Sequence, residues 1–139
     1  MSVNAEKKSK ATPFRILYVE DDESIRGLMR IVFKKTDYLF EMAENGAIGL
    51  EMYKKGNYDL VLMDLKMPVM DGLEATKEIR EWEKQEGKKR VPLIALTAHG
   101  TTNDKKKSED AGCDDHLIKP IKKQDLMNLI GKYLSSWQP

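Results

Sequence analysis

The sequence predicts an α/β domain, a five-stranded parallel sheet with helices on both faces. Two observations carry that prediction. Between positions 14 and 134, five short apolar runs alternate with five segments of helical length, and repeated β then α units build a parallel sheet through right-handed crossovers. Three of the runs, at 16–19, 60–63 and 93–96, are continuously apolar, as strands covered on both faces are. The 139 residues suit one such domain. A chain of this size buries roughly 68 to 70% of its unfolded surface, so it needs no metal or disulfide to fold. Cys113 is the sole cysteine, which excludes an internal disulfide and a cysteine-based zinc site.

The elements follow in order. The first strand covers 14–19 and runs into Glu20, Asp21 and Asp22. Asp22 reads as the N-cap of a helix over 24–35, where Ile25, Leu28, Met29 and Val32 fall at i, i+3, i+4 and i+7 and predict one buried stripe. A second strand at 38–43 precedes a helix from about 47 to 55 that Gly56 ends. The third strand, 58–64, closes on Asp64. A lone carboxylate ending an apolar strand is costly to bury, so a functional reason is expected for it. Asp71-Gly72 has turn and cap chemistry ahead of a helix over 73–86, with Gly87 as its stop. The fourth strand, 91–97, ends in Thr97.

The next segment, 101–111, has almost no apolar face, and a helix without one lacks its main source of stability. It is expected to be short and mobile. Gly112 follows as its stop, then Cys113 as a small buried apolar residue, then a fifth strand at 114–118 that leads into Lys119-Pro120. Leu126, Leu129, Ile130 and Tyr133 restore the helical stripe near the C-terminus. The polar leader, 1–13, and residues 136–139 read as disordered tails around a domain at 14–135. Met63, Met67 and Met70 read as packing filler, and neither Trp82 nor Trp137 has an evident functional reason.

Charge and hydropathy exclude some functions. Lys7, Lys8 and Lys10 against Glu6 put +2 in the leader, so with a net charge of +1 the remainder is −1. A nearly neutral body does not present the basic face of a nucleic-acid binder. No apolar stretch approaches the ~20 residues that cross a bilayer, and the leader has no signal-peptide core. A cytoplasmic location without membrane contact is expected.

In a parallel sheet the ligand crevice lies at the carboxyl ends of the strands. Here those ends bring together Glu20, Asp21, Asp22, Asp64, Thr97 and Lys119. Like charges ~4 Å apart repel by about 4 kcal/mol at an effective dielectric near 20. Lys119 or a divalent cation must balance them. An all-oxygen carboxylate set suits Mg²⁺, which binds one or two carboxylates and leaves positions for phosphate oxygens. No glycine-rich cradle follows the first strand, and the acids at 20–23 would repel a bare phosphate.

These residues carry a resemblance. The run Ile16-Leu17-Tyr18-Val19-Glu20-Asp21-Asp22, then Asp64-Leu65-Lys66-Met67-Pro68 with Asp71-Gly72, then Ala95-Leu96-Thr97-Ala98, then Lys119-Pro120, each at a predicted strand end, is similar to the response-regulator receiver domains of two-component signalling. The likeness covers about 14–134. It implies a flavodoxin-like (βα)5 fold with strand order 2-1-3-4-5 and a cis Lys119-Pro120 bond. Asp64 would be the nucleophile that takes a phosphoryl group from a partner's histidine. Asp21, Asp64 and the Lys66 carbonyl would bind Mg²⁺, with Glu20 acting through a coordinated water, while Thr97 and Lys119 would hold phosphoryl oxygens. Lys66 and His99 occupy positions that tune phosphoryl lifetime in similar domains.

The implied partner is a sensor histidine kinase or a histidine phosphotransfer protein, for a receiver that is monomeric or dimerises on phosphorylation. The stretches 91–98 and 111–115 look like receivers of hybrid kinases, and with no residues for an effector after the final tail, output through protein contact is expected. One position departs from the pattern. His116 stands where similar domains place Tyr or Phe as the switch partner of Thr97. A buried imidazole would favour its neutral form and weaken switching below pH 7; a solvated strand residue is the other reading.

Two further function classes stand against this one. A phosphatase working through an aspartyl-phosphate would place a second acid two residues after the nucleophile, where this chain has Lys66. A flavin- or nucleotide-binding domain can share the fold, but the acidic first loop is wrong for it.

Overall fold

A computed structural model describes residues 13–67 and 69–134. The predicted leader (except Pro13), the C-terminal tail with Trp137, and Pro68 lie outside the described residues. The order is β1 (Arg15–Val19), α1 (Glu23–Lys34), β2 (Leu39–Ala43), α2 (Gly46–Lys55), β3 (Leu60–Asp64), α3 (Gly72–Glu86), β4 (Leu93–Thr97), α4 (Thr102–Ala111), β5 (Asp115–Ile118) and α5 (Lys123–Leu134). All neighbouring strands pair in parallel, in the order β2-β1-β3-β4-β5. The predicted topology is the observed one.

The strand alternation divides the core in two. Leu17, Val19, Val61, Met63 and Ala95 pack with Leu50 and Tyr53 of α2, and with Ala75 and Ile79 of α3. On the opposite face Ile16, Tyr18, Leu60, Leu62, Ile94 and Leu96 pack with Met29 and Phe33 of α1, and with Leu126, Ile130 and Leu134 of α5. Both faces of β1, β3 and β4 are therefore dry, which is why these strands read as unbroken apolar runs. Cys113 is buried as expected, and burial pushes its thiol up to about 11.

One predicted stripe is corrected. Met29 is buried as predicted and Ile25 and Val32 pack against the core, but Leu28 is 56% exposed and Phe33 is buried in its place. Leu28 stands roughly 140° around the helix from Phe33, and the side that meets the sheet is the one carrying Ile25, Met29, Val32 and Phe33. The weak α4 forms over ten residues, and of these only Ser108 and Ala111 are buried. Its ends are well capped. The Thr101 hydroxyl accepts from the Asp104 N–H at 3.1 Å, and left-handed Gly112 lets the N–H groups of Gly112 and Cys113 reach the Ser108 carbonyl. No helix among the described residues is long and apolar enough to cross a membrane.

Candidate phosphoacceptor site

Strand register assembles the site. Val19 lies opposite Met63 and Asp64 opposite Leu96, so Glu20 and Asp64 are the residues that emerge together where β1 and β3 end. Thr97 lies opposite Ile118, which brings Lys119 out one position beyond. The Asp22 carboxylate accepts from the N–H groups of Ser24 and Ile25 and caps α1, as predicted. That cap turns the chain sharply after Glu20 and Asp21 and holds both at the rim.

Glu20 and Asp64 are almost fully buried, at 1% and 2% exposure, while Asp21 is exposed. The Lys119 ammonium lies 3.1 Å from Asp64 Oδ1 and 3.4 Å from Glu20 Oε1. Glu20 Oε2 accepts from the Asp22 N–H at 3.2 Å, but buried Glu20 Oε1 has no hydrogen-bond donor. Burial, followed by the charge of Asp64, raises the Glu20 carboxyl to about 7 against the opposing pull of the Asp22 N–H and Lys119. Burial draws the Lys119 ammonium down, yet the bonds and charges of Asp64 and Glu20 outweigh it and hold it above the ordinary lysine value.

One lysine therefore serves two buried carboxylates and leaves one oxygen orphaned. Ligand oxygens of Glu20, Asp21 and Asp64 all fall within 4.8 Å of one another. Three convergent carboxylates, one of which carries a buried oxygen without a donor, fit a hard divalent cation such as Mg²⁺. Lys66, whose carbonyl the sequence reading added to that set, sits just past β3, and its N–H donates to Asp64 Oδ1 at 3.3 Å.

Thr97 stands at the end of β4 beside the cluster, but its hydroxyl is engaged elsewhere. It donates to the His99 carbonyl at 2.9 Å and accepts from the His99 N–H at 3.2 Å. Thr97, Lys66 and His99 line a cleft of about 400 Å³ that continues along Asp71 and α4. His116 is half-buried on β5 opposite Ala95, two residues before the Thr97 level.

Two supports escaped the sequence reading. Asp71 caps α3 by accepting from the Glu74 N–H, as expected, but Gly72 does more than turn the chain. A Cβ there would stand 2.2 Å from the Asp64 carbonyl oxygen and 2.7 Å from Leu65 Cα. Only glycine lets α3 start against the backbone of Asp64. The intervening loop carries Val69 at φ 72°, a left-handed position that a β-branched residue rarely takes. Beneath the carboxylates the buried Tyr18 hydroxyl has no hydrogen-bond partner, and burial, then the charges of Glu20 and Asp64, raises its ionisation. The Lys119-Pro120 bond is cis.

Comparison with known proteins agrees with this geometry. Residues 16–131 match the response regulator receiver domain. The chain is 43% identical over 130 residues to hybrid signal transduction histidine kinase B of Dictyostelium discoideum, covering 87% of this chain but 7% of that protein. It therefore spans under a tenth of that kinase. It is 36% identical to the chemotaxis protein CheY of Halobacterium salinarum, covering 88% of this chain and 98% of the relative. Among solved structures it resembles a chain of the Saccharomyces cerevisiae complex between the histidine phosphotransfer protein Ypd1 and the receiver domain of the response regulator Ssk1. That match has a TM-score of 0.87 and 31% identity, and covers 91% of this chain and 92% of that one. It also resembles the receiver domain of a Pseudomonas aeruginosa sensor histidine kinase with magnesium in its active-site cleft, with a TM-score of 0.79, 32% identity and coverage of 89% and 99%. The match across 16–131, on a sheet whose carboxyl edge gathers these acids and this lysine, places the chain in the response-regulator receiver domain family of two-component signalling.

Proposed function

We propose that this receiver accepts a phosphoryl group on Asp64 from a phosphohistidine donor in an Mg²⁺-dependent reaction and thereby switches partner binding. The observation that carries the reading is the pairing of buried Asp64 with Lys119 at 3.1 Å beside a donorless Glu20 oxygen. An Asp64 carboxylate oxygen attacks phosphorus; an O–P bond forms as the P–N bond breaks, and the donor imidazole keeps the electron pair. Lys119 stands where it neutralises charge on a phosphoryl oxygen. Alignment and charge stabilisation supply most of the catalysis in such transfers.

Asp21, Asp64 and the Lys66 carbonyl would hold Mg²⁺, with Glu20 bound through water. The ion supplies charge neutralisation at the phosphoryl oxygens when bound. Thr97 completes the site by giving up its bonds to His99 and donating to a phosphoryl oxygen, so the β4–α4 loop would rearrange with the phosphorylation state. His116 on β5 is the neighbouring group whose placement that movement would change.

The donor would be a sensor histidine kinase or a histidine phosphotransfer protein. Its docking surface would include α1, which starts at the site rim and leaves Leu28 and Ile31, one turn apart, 56% and 57% exposed. An apolar pair beside a charged site suits a helical partner that must bring its histidine to Asp64.

Incubation with acetyl phosphate and Mg²⁺ followed by intact-mass measurement tests the reading. One added phosphoryl group is expected, absent in Asp64→Asn and absent in EDTA. Labelling that persists in Asp64→Asn would assign the acceptor elsewhere.

A further inference from the structure

The amino edge of the sheet carries a second cleft, of about 390 Å³, which phosphoacceptor chemistry does not use. It lies where the ends of α2 and α3 meet the loops that lead into β3 and β4. Lys54, Lys55, Lys88 and Lys89 line it, against one acid, Asp59. Asp59 is already engaged, since its Oδ2 accepts from the Arg15 N–H at 2.8 Å. Of these four lysines only Lys55 has an ion pair among the described residues, to Glu51 at 3.8 Å with both side chains exposed, and such a pair is weak. Lys54 and Lys55 in the last turn of α2 suit the helix dipole. Lys88 and Lys89 follow the Gly87 cap of α3 and have no such reason.

Aromatic rings complete the lining. Tyr53 and Tyr58 stack at 6.3 Å, and Trp82 meets the Tyr53 ring at 5.8 Å in an edge arrangement. The Tyr53 and Tyr58 hydroxyls donate to Glu83 and Glu41, and the Arg15 guanidinium covers Tyr58. Both tyrosines are buried and form a fixed wall, whereas Trp82 stays half-buried at the cleft. A cluster of ammonium groups around a partly open indole matches a flat ring that bears several negative charges. The volume lies in the range of small-molecule sites.

We propose that this cleft binds a nucleotide, its base stacked on Trp82 and its phosphates drawn to Lys54, Lys55, Lys88 and Lys89. The inference is independent of the phosphoacceptor reading, because it uses the opposite edge of the sheet and no residue of the acidic cluster. The acids at the carboxyl edge repel phosphate unless a cation intervenes; the amino edge attracts it directly.

Calorimetric titration of the full chain with ATP in EDTA tests this, since the chelator keeps Mg²⁺ from recruiting phosphate to Glu20, Asp21 and Asp64. Binding at one-to-one stoichiometry is expected, with a shift of the Trp82 indole N–H resonance in parallel NMR spectra. Inorganic tripolyphosphate, which lacks the ring, and adenosine, which lacks the charge, should each bind about tenfold or more weakly. The double variant Lys88→Glu, Lys89→Glu, altered at two exposed positions, should weaken ATP by about tenfold or more while Asp64 labelling by acetyl phosphate stays unchanged. No binding at millimolar ATP, equal affinity for tripolyphosphate, undiminished affinity in the double variant, or shifts confined to the Asp64 edge would each overturn the proposal.

Discussion

Both edges of the sheet bury charge, and they treat it in opposite ways. At the amino edge Arg80 is 8% exposed and Glu83 4%, yet both of these buried charges are answered. Arg80 Nη1 donates to Glu83 at 3.0 Å and to the Val91 carbonyl at 2.8 Å, Nη2 donates to Asp114 at 2.8 Å, and Nε donates to the Gly112 carbonyl at 2.9 Å. Glu83 also accepts from Tyr53, and Asp114 from Arg90 and the Leu93 N–H. At the carboxyl edge one lysine stands between two buried carboxylates, and one oxygen has no donor. A satisfied buried network specifies a packing; an under-satisfied one is complete only with something added. The first therefore ties α2, α3, β4 and the α4–β5 turn together, and the second is poised for a cation and a phosphoryl group.

That contrast can be broken at its strongest point. Arg80→Ala leaves Glu83 and Asp114 buried without their cation and should cost about 3 to 5 kcal/mol, measured by urea denaturation, with no recovery on adding Mg²⁺. Lys119→Met acts at the other edge. It should slow Asp64 labelling by acetyl phosphate about 10²-fold, the usual loss for one charge-stabilising donor, and its stability loss in EDTA should be recovered by Mg²⁺. Recovery of both variants, or of neither, would erase the distinction between the edges.

Two smaller effects sharpen it. Gly72→Ala forces a Cβ into the Asp64 carbonyl and should cost about 1 to 3 kcal/mol through overpacking, read as a lower urea midpoint. The smallest effect is in pH. The Glu20 carboxyl rises from 4.5 to about 7 in the fold, so between those values the folded state binds more protons than the unfolded one. Its contribution to stability is present below 4.5 and is lost as pH rises towards 7. In EDTA the melting temperature should fall across that window, and Glu20→Gln should flatten the fall. Equal slopes for the two proteins would show that the buried carboxylate is not the group responsible.

Much of the fold was legible before any coordinates, because its signals are local. Unbroken apolar runs at 16–19, 60–63 and 93–96 report burial on two faces, and Asp22, Asp71, Gly87 and Gly112 act on neighbours within a few residues. The acidic edge was legible for a related reason. In a parallel sheet all strands end on one side, so Glu20, Asp64, Thr97 and Lys119 share an edge without any knowledge of side-chain contacts. Less was visible where spacing alone had to rank similar residues. Leu28 and Phe33 are both apolar but stand roughly 140° apart around α1, and packing against the sheet decides that Phe33 goes inside.

What remained hidden depends on distances across the chain. Arg80 meets Asp114 across 34 residues and Tyr53 meets Glu83 across 30, and no periodicity announces such pairs, since charged side chains on a helix read as solvated until a neighbour covers them. The reason for Gly72 lies in the Asp64 backbone, the Thr97 hydroxyl turns to His99, and the lysines and rings of the amino-edge cleft come from two helices and two loops. Hydrophobic period and strand direction are written residue by residue and survive in the linear chain. Charge compensation, close backbone approach and cavity shape arise only when separate segments are packed, because each is a property of a distance between them.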